Sequence, residues 1–197
     1  KVQFIKTCPE CGSELVRFEG VAAHYCPNDS ACPPQIKGRI EHFISRKAMN
    51  IDSLGPETVD DYYQRGLIHD VSDLYKLTIA DICGVNKNRV KSAQKVVDGV
   101  KSTLSVPFER VVFAIGIRFV GETTAKLIAR HFKSMEVLRN ATVEALMEVD
   151  GVGQVIAESV VKYFQDPKNA EIVDKLASEG LQMQLSEEQR PDRKSGS

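Results

Sequence analysis

The 197-residue sequence has no tryptophan, and aromatic residues make up only 7% of it. This scarcity argues against a platform on which the bases of a single nucleic-acid strand would stack. An excess of positive charge is also missing: the net charge is −1 and the pI is about 6.5, unlike an evenly basic nucleic-acid-binding domain. No signal peptide or membrane-spanning apolar stretch is recognisable, so we expect an intracellular, reducing setting and no membrane partner.

A helix-start pattern occurs four times in the sequence, at intervals of 34, 32 and 32 residues. The anchor residues of the four copies are Gly55, Arg89, Gly121 and Gly153. Small or apolar residues follow each anchor after four and seven positions, and after eleven positions in the last three copies, which is the spacing of one helix face. A short turn-like segment precedes each anchor. The arrangement predicts four stacked helix-hairpin-helix repeats in a mainly α fold.

The start of each repeated helix has the properties of a phosphate site. The first N–H groups of a helix have no partner within it, the helix dipole favours an anion, and glycine lets a ligand approach the backbone. The alternative is an ordinary turn of a helical bundle, in which glycine only stops a helix. Four copies in register favour the phosphate interpretation. We also expect the apolar residue between the glycines of each hairpin to pack into the core.

The four hairpins are not equivalent. The third keeps Gly116 and Gly121 and the fourth keeps Gly151 and Gly153, so we expect these two to bind phosphate best. In the first hairpin, Ser53 replaces the earlier glycine.

The second hairpin keeps Gly84 but has Arg89 in place of the anchor glycine, and a left-handed backbone there would be strained. We therefore expect a reshaped hairpin in which the side chain of Arg89 or Lys91 meets phosphate.

Residues 77–135 carry ten Lys or Arg and four Asp or Glu, a basic strip that fits binding to phosphates. No helix gathers Arg, Asn and Gln on one face for base readout, so the backbone of double-stranded DNA is the expected partner. The predicted DNA-contacting residues are Gly55, Gly84, Arg89, Lys91, Gly116, Arg118, Gly121, Thr123, Gly151, Gly153 and Gln154.

Four cysteines near the N-terminus, Cys8, Cys11, Cys26 and Cys32, have the spacing C-x2-C-x14-C-x5-C. A tetrahedron of four thiolates suits zinc and leaves no open position, so the predicted Zn²⁺ is structural. The alternatives are disulfide pairs, which a reducing setting disfavours, and a redox C-x2-C. His24 could also replace one ligand. The fifth cysteine, Cys83, is expected in the core.

The sequence divides into a zinc knuckle over 1–34, a helix-hairpin-helix domain over 35–181 and a disordered linker or tail over 182–197. The first helix is expected to begin at Pro33 or Pro34 and to end near Met49. Further helices are predicted over 56–65, 71–76, 78–83, 89–101, 107–115, 121–132, 134–140, 142–148, 153–164 and 167–179.

The knuckle followed by four repeats resembles the C-terminal part of bacterial NAD-dependent DNA ligase. The similarity covers about residues 7–181 and includes the segments 42–52, 91–94, 114–118, 120–122 and 151–153. It implies a DNA-binding role on nicked duplex, in an enzyme that seals 3′-hydroxyl/5′-phosphate nicks in replication and repair in the bacterial cytoplasm, near the nucleoid.

The catalytic lysine motif of that family, Lys-x-Asp-Gly, is not found. The nearest match, Lys95 to Gly99, is one residue too long and lies inside a predicted helix. The resemblance therefore implies a monomeric part of a ligase that lacks the adenylation, OB and BRCT domains, has no catalytic residues of its own, and would work with those domains of the same polypeptide. NAD⁺ and Mg²⁺ would serve only the parent enzyme. The alternatives are a free-standing DNA-repair accessory and a protein-interaction scaffold built on the same repeats.

Overall fold

The computed structural model describes residues 3–186, which form a small metal-ligand module followed by a helical domain. In the N-terminal module, β1 (Val16–Arg17) pairs antiparallel with β2 (His24–Tyr25), and Val16 lies opposite Tyr25. Gly12, with φ of +74°, allows the tight turn that brings the Cys8 carbonyl to the Gly12 N–H at 2.8 Å. The strands are short, so this module depends on its cysteine cluster more than on its sheet.

The helical domain confirms the predicted mainly α class. Within the described residues, the α-helices are α1 (Pro33–Ile44), α2 (Pro56–Gln64), α3 (Ile79–Cys83), α4 (Val90–Ser102), α5 (Phe108–Ala114), α6 (Glu122–Phe132), α7 (Met135–Arg139), α8 (Val143–Met147), α9 (Gln154–Gln165) and α10 (Pro167–Ser178). Three 3₁₀ turns lie at Val71–Lys76, Lys87–Arg89 and Thr103–Ser105. The boundaries of the segments predicted from residue 56 onward agree within two residues, although 71–76 is a 3₁₀ turn.

The first helix is shorter than predicted. It ends at Ile44 and not near Met49, because the chain turns back at Ser45 and the Met49 N–H donates to the Phe43 carbonyl at 3.0 Å. Asn50 then adopts a left-handed backbone, with φ of +53°. Residues 45–55 therefore form the whole first hairpin, between α1 and α2.

The apolar positions of the repeats build the core. Four positions after the anchors, the side chains are fully buried: Val59, Ala93, Ala125 and Ala157. Seven positions after the anchors, the side chains are fully or almost fully buried: Tyr62, Val96, Ile128 and Val160. Val100 and Phe132 continue the buried face, whereas Phe164 is only partly buried. The helix face predicted from the spacing is thus the face that packs inward.

The end of the described chain differs from the expected tail. The tail was predicted to begin at residue 182, but Leu185 is only 1% exposed. Its N–H donates to the Lys133 carbonyl at 2.8 Å, and the Met183 carbonyl accepts from the Met135 N–H at 2.7 Å. Residues 182–185 therefore pack on the junction of α6 and α7, because their alternating apolar side chains fit that surface. The rest of the predicted tail, from residue 187, lies outside the described residues.

Candidate functional site

The four N-terminal cysteines come together in one cluster. The Sγ atoms of Cys8 and Cys32 are 3.9 Å apart, those of Cys11 and Cys26 are 3.5 Å apart, and all four lie within 4.8 Å of one another. The edge of a thiolate tetrahedron around zinc is about 3.8 Å, given Zn–S distances of about 2.3 Å, whereas a disulfide needs about 2.05 Å. The cluster therefore fits a tetrahedral Zn²⁺ and supports the predicted metal site over disulfide pairing.

The surroundings of the thiols shift the pKa values of three of the four cysteines, in opposite directions. Burial raises the pKa of Cys32 to about 12 and raises that of Cys26. The Ser13 hydroxyl, 3.2 Å from the Cys11 Sγ, lowers the pKa of Cys11 to about 6. A bound divalent cation holds its thiol ligands deprotonated whatever burial does to them. His24 is not part of the cluster, because its ring stacks on Phe4 with the centroids 5.1 Å apart.

The anchor residues start four helices that have no side-chain cap. Gly55, Arg89, Gly121 and Gly153 are the N-cap residues of α2, α4, α6 and α9, and no side chain accepts from the first-turn amides. Other helices are capped: Thr78, Ser134, Thr142 and Asp166 accept from the first-turn amides of α3, α7, α8 and α10. Two other helices, α1 and α5, also lack a side-chain cap, and both start at proline, with Pro33 first in α1 and Pro107 at the N-cap of α5. The first-turn N–H groups at the anchored helix starts are therefore available to an external acceptor.

The backbone of the three glycine anchors is extended, and none of the four anchors is left-handed. The φ angles of Gly55, Gly121 and Gly153 are −121°, −83° and −85°. A Cβ atom built at any of these three glycines would meet no atom within 4 Å. Arg89, with φ of −91°, has no strain, so the reason expected for a reshaped second hairpin is wrong. The fold itself does not need glycine at the anchors, whereas a ligand that approaches the helix start closely would.

Left-handed residues occur elsewhere in the hairpins. Asn50, Gly84 and Gly116 lie five positions before their anchors, with φ of 53°, 53° and 73°. Phe119 and Gly151 lie two positions before theirs, with φ of 66° and 91°. In the first hairpin, Asn50 takes the place of Gly84 and Gly116, and Ser53 takes the place of Gly151 without its positive φ.

The second hairpin departs furthest from the others. The apolar residues of the remaining hairpins are buried as expected: Ile51, Leu54, Ile117, Val120 and Val152. Val85 of the second hairpin is instead fully exposed, so the expectation that it plugs into the core is wrong there. The 3₁₀ turn at Lys87–Arg89 replaces the usual connection, and the side chains of Arg89 and Lys91 point to an exposed surface.

The predicted contact residues of the third and fourth hairpins lie at the surface, but Arg118 has another partner. Thr123 and Gln154 are exposed in the first turns of α6 and α9. The guanidinium of Arg118 stacks on the rings of Phe18 and Tyr25 in the zinc module. Arg130, part of the basic strip, is paired with Glu109 at 2.8 Å.

Two further basic residues, which the sequence analysis did not single out, lie near the start of α6 in the third hairpin. Arg46 and Lys47 are exposed in the loop after α1, and Arg110 Nη2 donates to the Arg46 carbonyl at 2.6 Å. Lys47 Nζ lies 3.7 Å from Glu122 Oε2 at the start of α6. The loop of the first hairpin is therefore adjacent to the third. The signal in the sequence was the Arg-Lys pair just before the first anchor.

Comparison with known proteins gives the class. A family model described as "NAD-dependent DNA ligase C4 zinc finger domain" matches residues 7–33, and one described as "Helix-hairpin-helix motif" matches residues 110–173. The second match covers the third and fourth hairpins. No helix among the described residues has the length and apolar character needed to cross a membrane. The chain thus has an N-terminal segment that is similar to the zinc finger of NAD-dependent DNA ligases and a later segment that is similar to helix-hairpin-helix motifs.

The relatives are more specific. The DNA ligase of Bacteroides fragilis is 59% identical over 188 residues, which are 95% of this chain and 28% of the relative. Those of Parabacteroides distasonis and Flavobacterium johnsoniae are 55% and 47% identical, over 98% and 96% of this chain and 29% and 28% of the relatives. The chain therefore spans somewhat more than a quarter of the length of these proteins. Its resemblance to bacterial NAD-dependent DNA ligase, in the part that carries the zinc finger and the repeats, is confirmed.

Proposed function

We propose that this chain is the part of an NAD-dependent DNA ligase that binds nicked double-stranded DNA through its sugar-phosphate backbone, with the third and fourth hairpins as the main contacts. The observation that carries the proposal is the difference between the helix starts. The helices that start at Gly121 and Gly153 lack a side-chain cap and have open space at the N-cap residue, whereas α3, α7, α8 and α10 are capped by a side chain and the uncapped α1 and α5 start at proline. A phosphate oxygen can supply the acceptor that the anchored helices lack.

The physical gain at each helix start is modest, so several starts must act together. An anion at a helix N-terminus is stabilised by about 0.3–1 kcal/mol when exposed. Open space at Gly121 and Gly153 lets phosphate reach the amides, and exposed cations such as Lys47 and Lys91 add charge attraction. Binding of this kind depends on the backbone and not on base sequence.

In the whole protein, we propose that the chain supplies orientation and not chemistry. Holding the nick in a fixed geometry lowers the entropic part of the barrier for the groups that react. NAD⁺ and Mg²⁺ would act in other domains of a monomeric ligase, in the bacterial cytoplasm, and the catalytic residues would lie there as well. The four-cysteine module would hold Zn²⁺ for structure alone, since four protein ligands leave no position for a substrate.

The test is fluorescence anisotropy with labelled nicked duplex, intact duplex and single strand at several salt concentrations. The wild-type chain is expected to bind duplex with a slope of log K against log salt of a few units, each phosphate contributing about −0.9. Gly121→Ala and Gly153→Ala should each weaken duplex binding, because the new methyl group occupies the open space at the helix start. Gly153→Asp should weaken it further, since the carboxylate caps α9 and repels phosphate.

The matched control is Gly38→Ala in α1. Gly38 is also exposed, and a Cβ atom there also meets nothing within 4 Å, but it lies inside a helix and not at its start. Its duplex affinity should equal that of the wild type. Equal affinities for Gly121→Ala, Gly153→Ala and the wild type would reject the role of the helix starts. No duplex binding by the wild type at low salt would reject the proposed function in favour of the scaffold alternative.

A further inference from the structure

We propose that Arg118 is a positioning residue: it fastens the zinc module to the third hairpin and so holds that hairpin in its DNA-binding geometry, without contacting phosphate itself. This inference rests on the proposed function. It replaces the sequence-based expectation that the Arg118 side chain binds DNA.

The guanidinium lies among three aromatic rings. Its central carbon is 4.1 Å from the ring centroid of Tyr25, 4.4 Å from that of Phe18 and 5.7 Å from that of Phe119. Tyr25 is in β2 and Phe18 follows β1, whereas Phe119 belongs to the hairpin. A planar cation against ring faces is a cation–π arrangement, which arginine makes better than lysine.

The same rings support the strained part of the hairpin. Phe119 has a left-handed backbone, with φ of +66°, two positions before Gly121. A non-glycine residue keeps such a backbone only where its surroundings fix it. The Phe119 ring meets the edge of Phe18, with centroids 5.7 Å apart, and the Ser159 hydroxyl donates to the Arg118 carbonyl at 2.6 Å. The zinc module and α9 thus hold this segment from two sides.

The surroundings of the Arg118 charge also support a positioning role. Among the ion pairs of residues 3–186, none includes Arg118, so the rings and water are what stabilise its charge. Arg118 is exposed, and its guanidinium lies over two rings whose centroids are 5.9 Å apart, so reaching for a phosphate would break both ring contacts. Lys126 and Lys91, which have no such contact, are better placed to do so.

A second junction keeps the zinc module in place when the first is altered. Arg39 Nη2 donates to Asp29 Oδ2 at 2.9 Å, and Lys168 Nζ donates to the Ser30 hydroxyl at 2.9 Å. Loss of the Arg118 contact should therefore shift the hairpin locally and leave both modules folded. This makes the proposal testable in the 197-residue, zinc-loaded chain.

The experiment compares duplex binding of Arg118→Ala, Arg118→Lys, Phe18→Leu, Tyr25→Leu and Tyr25→Phe with that of the wild type. If the stack positions the hairpin, both leucine variants and both Arg118 variants should bind duplex about threefold to tenfold more weakly, the size of a cation–π contact. Their salt slopes should match that of the wild type, because no positive charge that contacts phosphate is lost. Tyr25→Phe should behave as wild type, because it keeps the ring. The double variant Arg118→Ala/Phe18→Leu should be no weaker than Arg118→Ala alone.

The opposite pattern would overturn the inference. If Arg118 contacts phosphate, Arg118→Ala should reduce the magnitude of the salt slope by about 0.9, and Phe18→Leu and Tyr25→Leu should have wild-type affinity. Lys162→Ala, which removes one exposed charge from the last turn of α9, is the control for charge. Zinc content and thermal unfolding of each variant show whether a loss of affinity comes from unfolding. A loss of duplex affinity in Phe18→Leu and Tyr25→Leu, with wild-type affinity in the Arg118 variants, would also count against a positioning role for Arg118. If the wild type binds and no variant differs from it, this inference fails while the proposed function stands.

Discussion

Gly99 in the middle of α4 faces Ser53 of the first hairpin so closely that a Cβ atom at residue 99 would lie 3.0 Å from the Ser53 hydroxyl oxygen. The same atom would lie 3.1 Å from Cγ2 of the buried Ile51. The Ser53 hydroxyl in turn donates to the Lys95 carbonyl at 3.2 Å. A glycine inside a helix costs about 1 kcal/mol relative to alanine. At this position the close approach of the hairpin accounts for it.

Gly99→Ala should therefore lower the stability of the protein despite its better helix propensity. The methyl group displaces Ile51, and such overpacking costs about 1–3 kcal/mol. Gly38→Ala, in open space on α1, should instead raise the free energy of unfolding by about 0.5–1 kcal/mol. Urea unfolding followed by circular dichroism measures both. A Gly99→Ala protein as stable as Gly38→Ala would show that the first hairpin moves to make room for the methyl group at little cost.

Gly116→Ala and Gly151→Ala should each lower the free energy of unfolding by about 1–2 kcal/mol, because L-residues are unfavourable in a left-handed backbone. Gly116 has φ of +73° and Gly151 has φ of +91°, and a Cβ atom at Gly151 would also press on Leu127 at 3.3 Å. Gly121→Ala is the matched variant with an ordinary φ and should unfold as the wild type does. Equal unfolding midpoints for the three variants would contradict the assignment of the left-handed positions.

Arg39→Ala should lower stability by about 1–3 kcal/mol, because it leaves a buried amide oxygen without its partner. Arg39 Nη1 donates to Oδ1 of the buried Asn169 at 3.1 Å, and Asn169 Nδ2 donates to the Tyr163 carbonyl at 3.0 Å. The comparison is Arg139→Ala, which breaks a surface pair with Asp174 and should cost about 0–1 kcal/mol. A smaller loss for Arg39 than for Arg139, in denaturant unfolding, would be incompatible with this network.

Alkaline pH should destabilise the protein through two tyrosines. Burial raises the pKa of both Tyr75 and Tyr163 to about 12, whereas tyrosine in an unfolded chain has a pKa of about 10. The folded state therefore binds these protons more tightly, and the stability they contribute is complete below pH of about 10 and is lost as pH rises towards 12. Tyr75→Phe should show a shallower loss over this range when unfolding is measured at each pH. An identical pH dependence in Tyr75→Phe would exclude Tyr75 as a contributor.

Removal of zinc should unfold the N-terminal module and spare the helices. Few side chains of residues 3–32 are buried, and Phe4 and Ile5 are 68% and 62% exposed, so the metal supplies what a core would otherwise provide. A strong chelator should collapse the dispersion of the NMR signals of this region while the helical circular dichroism changes little. Cys83→Ser, outside the cluster, should keep one zinc per chain, whereas Cys32→Ser should not. A folded module after complete chelation would refute a structural role for the metal.

Much of the fold could be predicted because it repeats. Periodic apolar residues set the helices, and the capping box of Thr78 and Asp81 is present as the sequence indicates, with the Thr78 oxygen accepting from the Asp81 N–H at 3.1 Å. The left-handed backbones of Asn50 and Phe119 could not be foreseen in the same way. Neither residue favours that conformation as glycine does, and tertiary contacts impose it.

The site was predictable where spacing alone defines it and not where distant segments meet. The cysteine spacing predicted the cluster, and the repeat predicted the uncapped helix starts. The contact of Arg118 with Phe18 joins residues 100 positions apart, so the sequence showed only an arginine in a basic segment and not its aromatic partners. Met183 and Leu185 did carry a signal, because they alternate with polar residues as a packed extended segment does.

The attachment of the zinc module at two separate places, through Arg118 and through Arg39 with Lys168, has a consequence for the energetics of association. Two modules on a flexible linker lose conformational entropy when one ligand fixes both of them. Here their relative orientation is fixed before any ligand arrives. The protein is preorganised, and a ligand that touches the zinc module and the hairpins together meets a surface whose ordering was completed during folding.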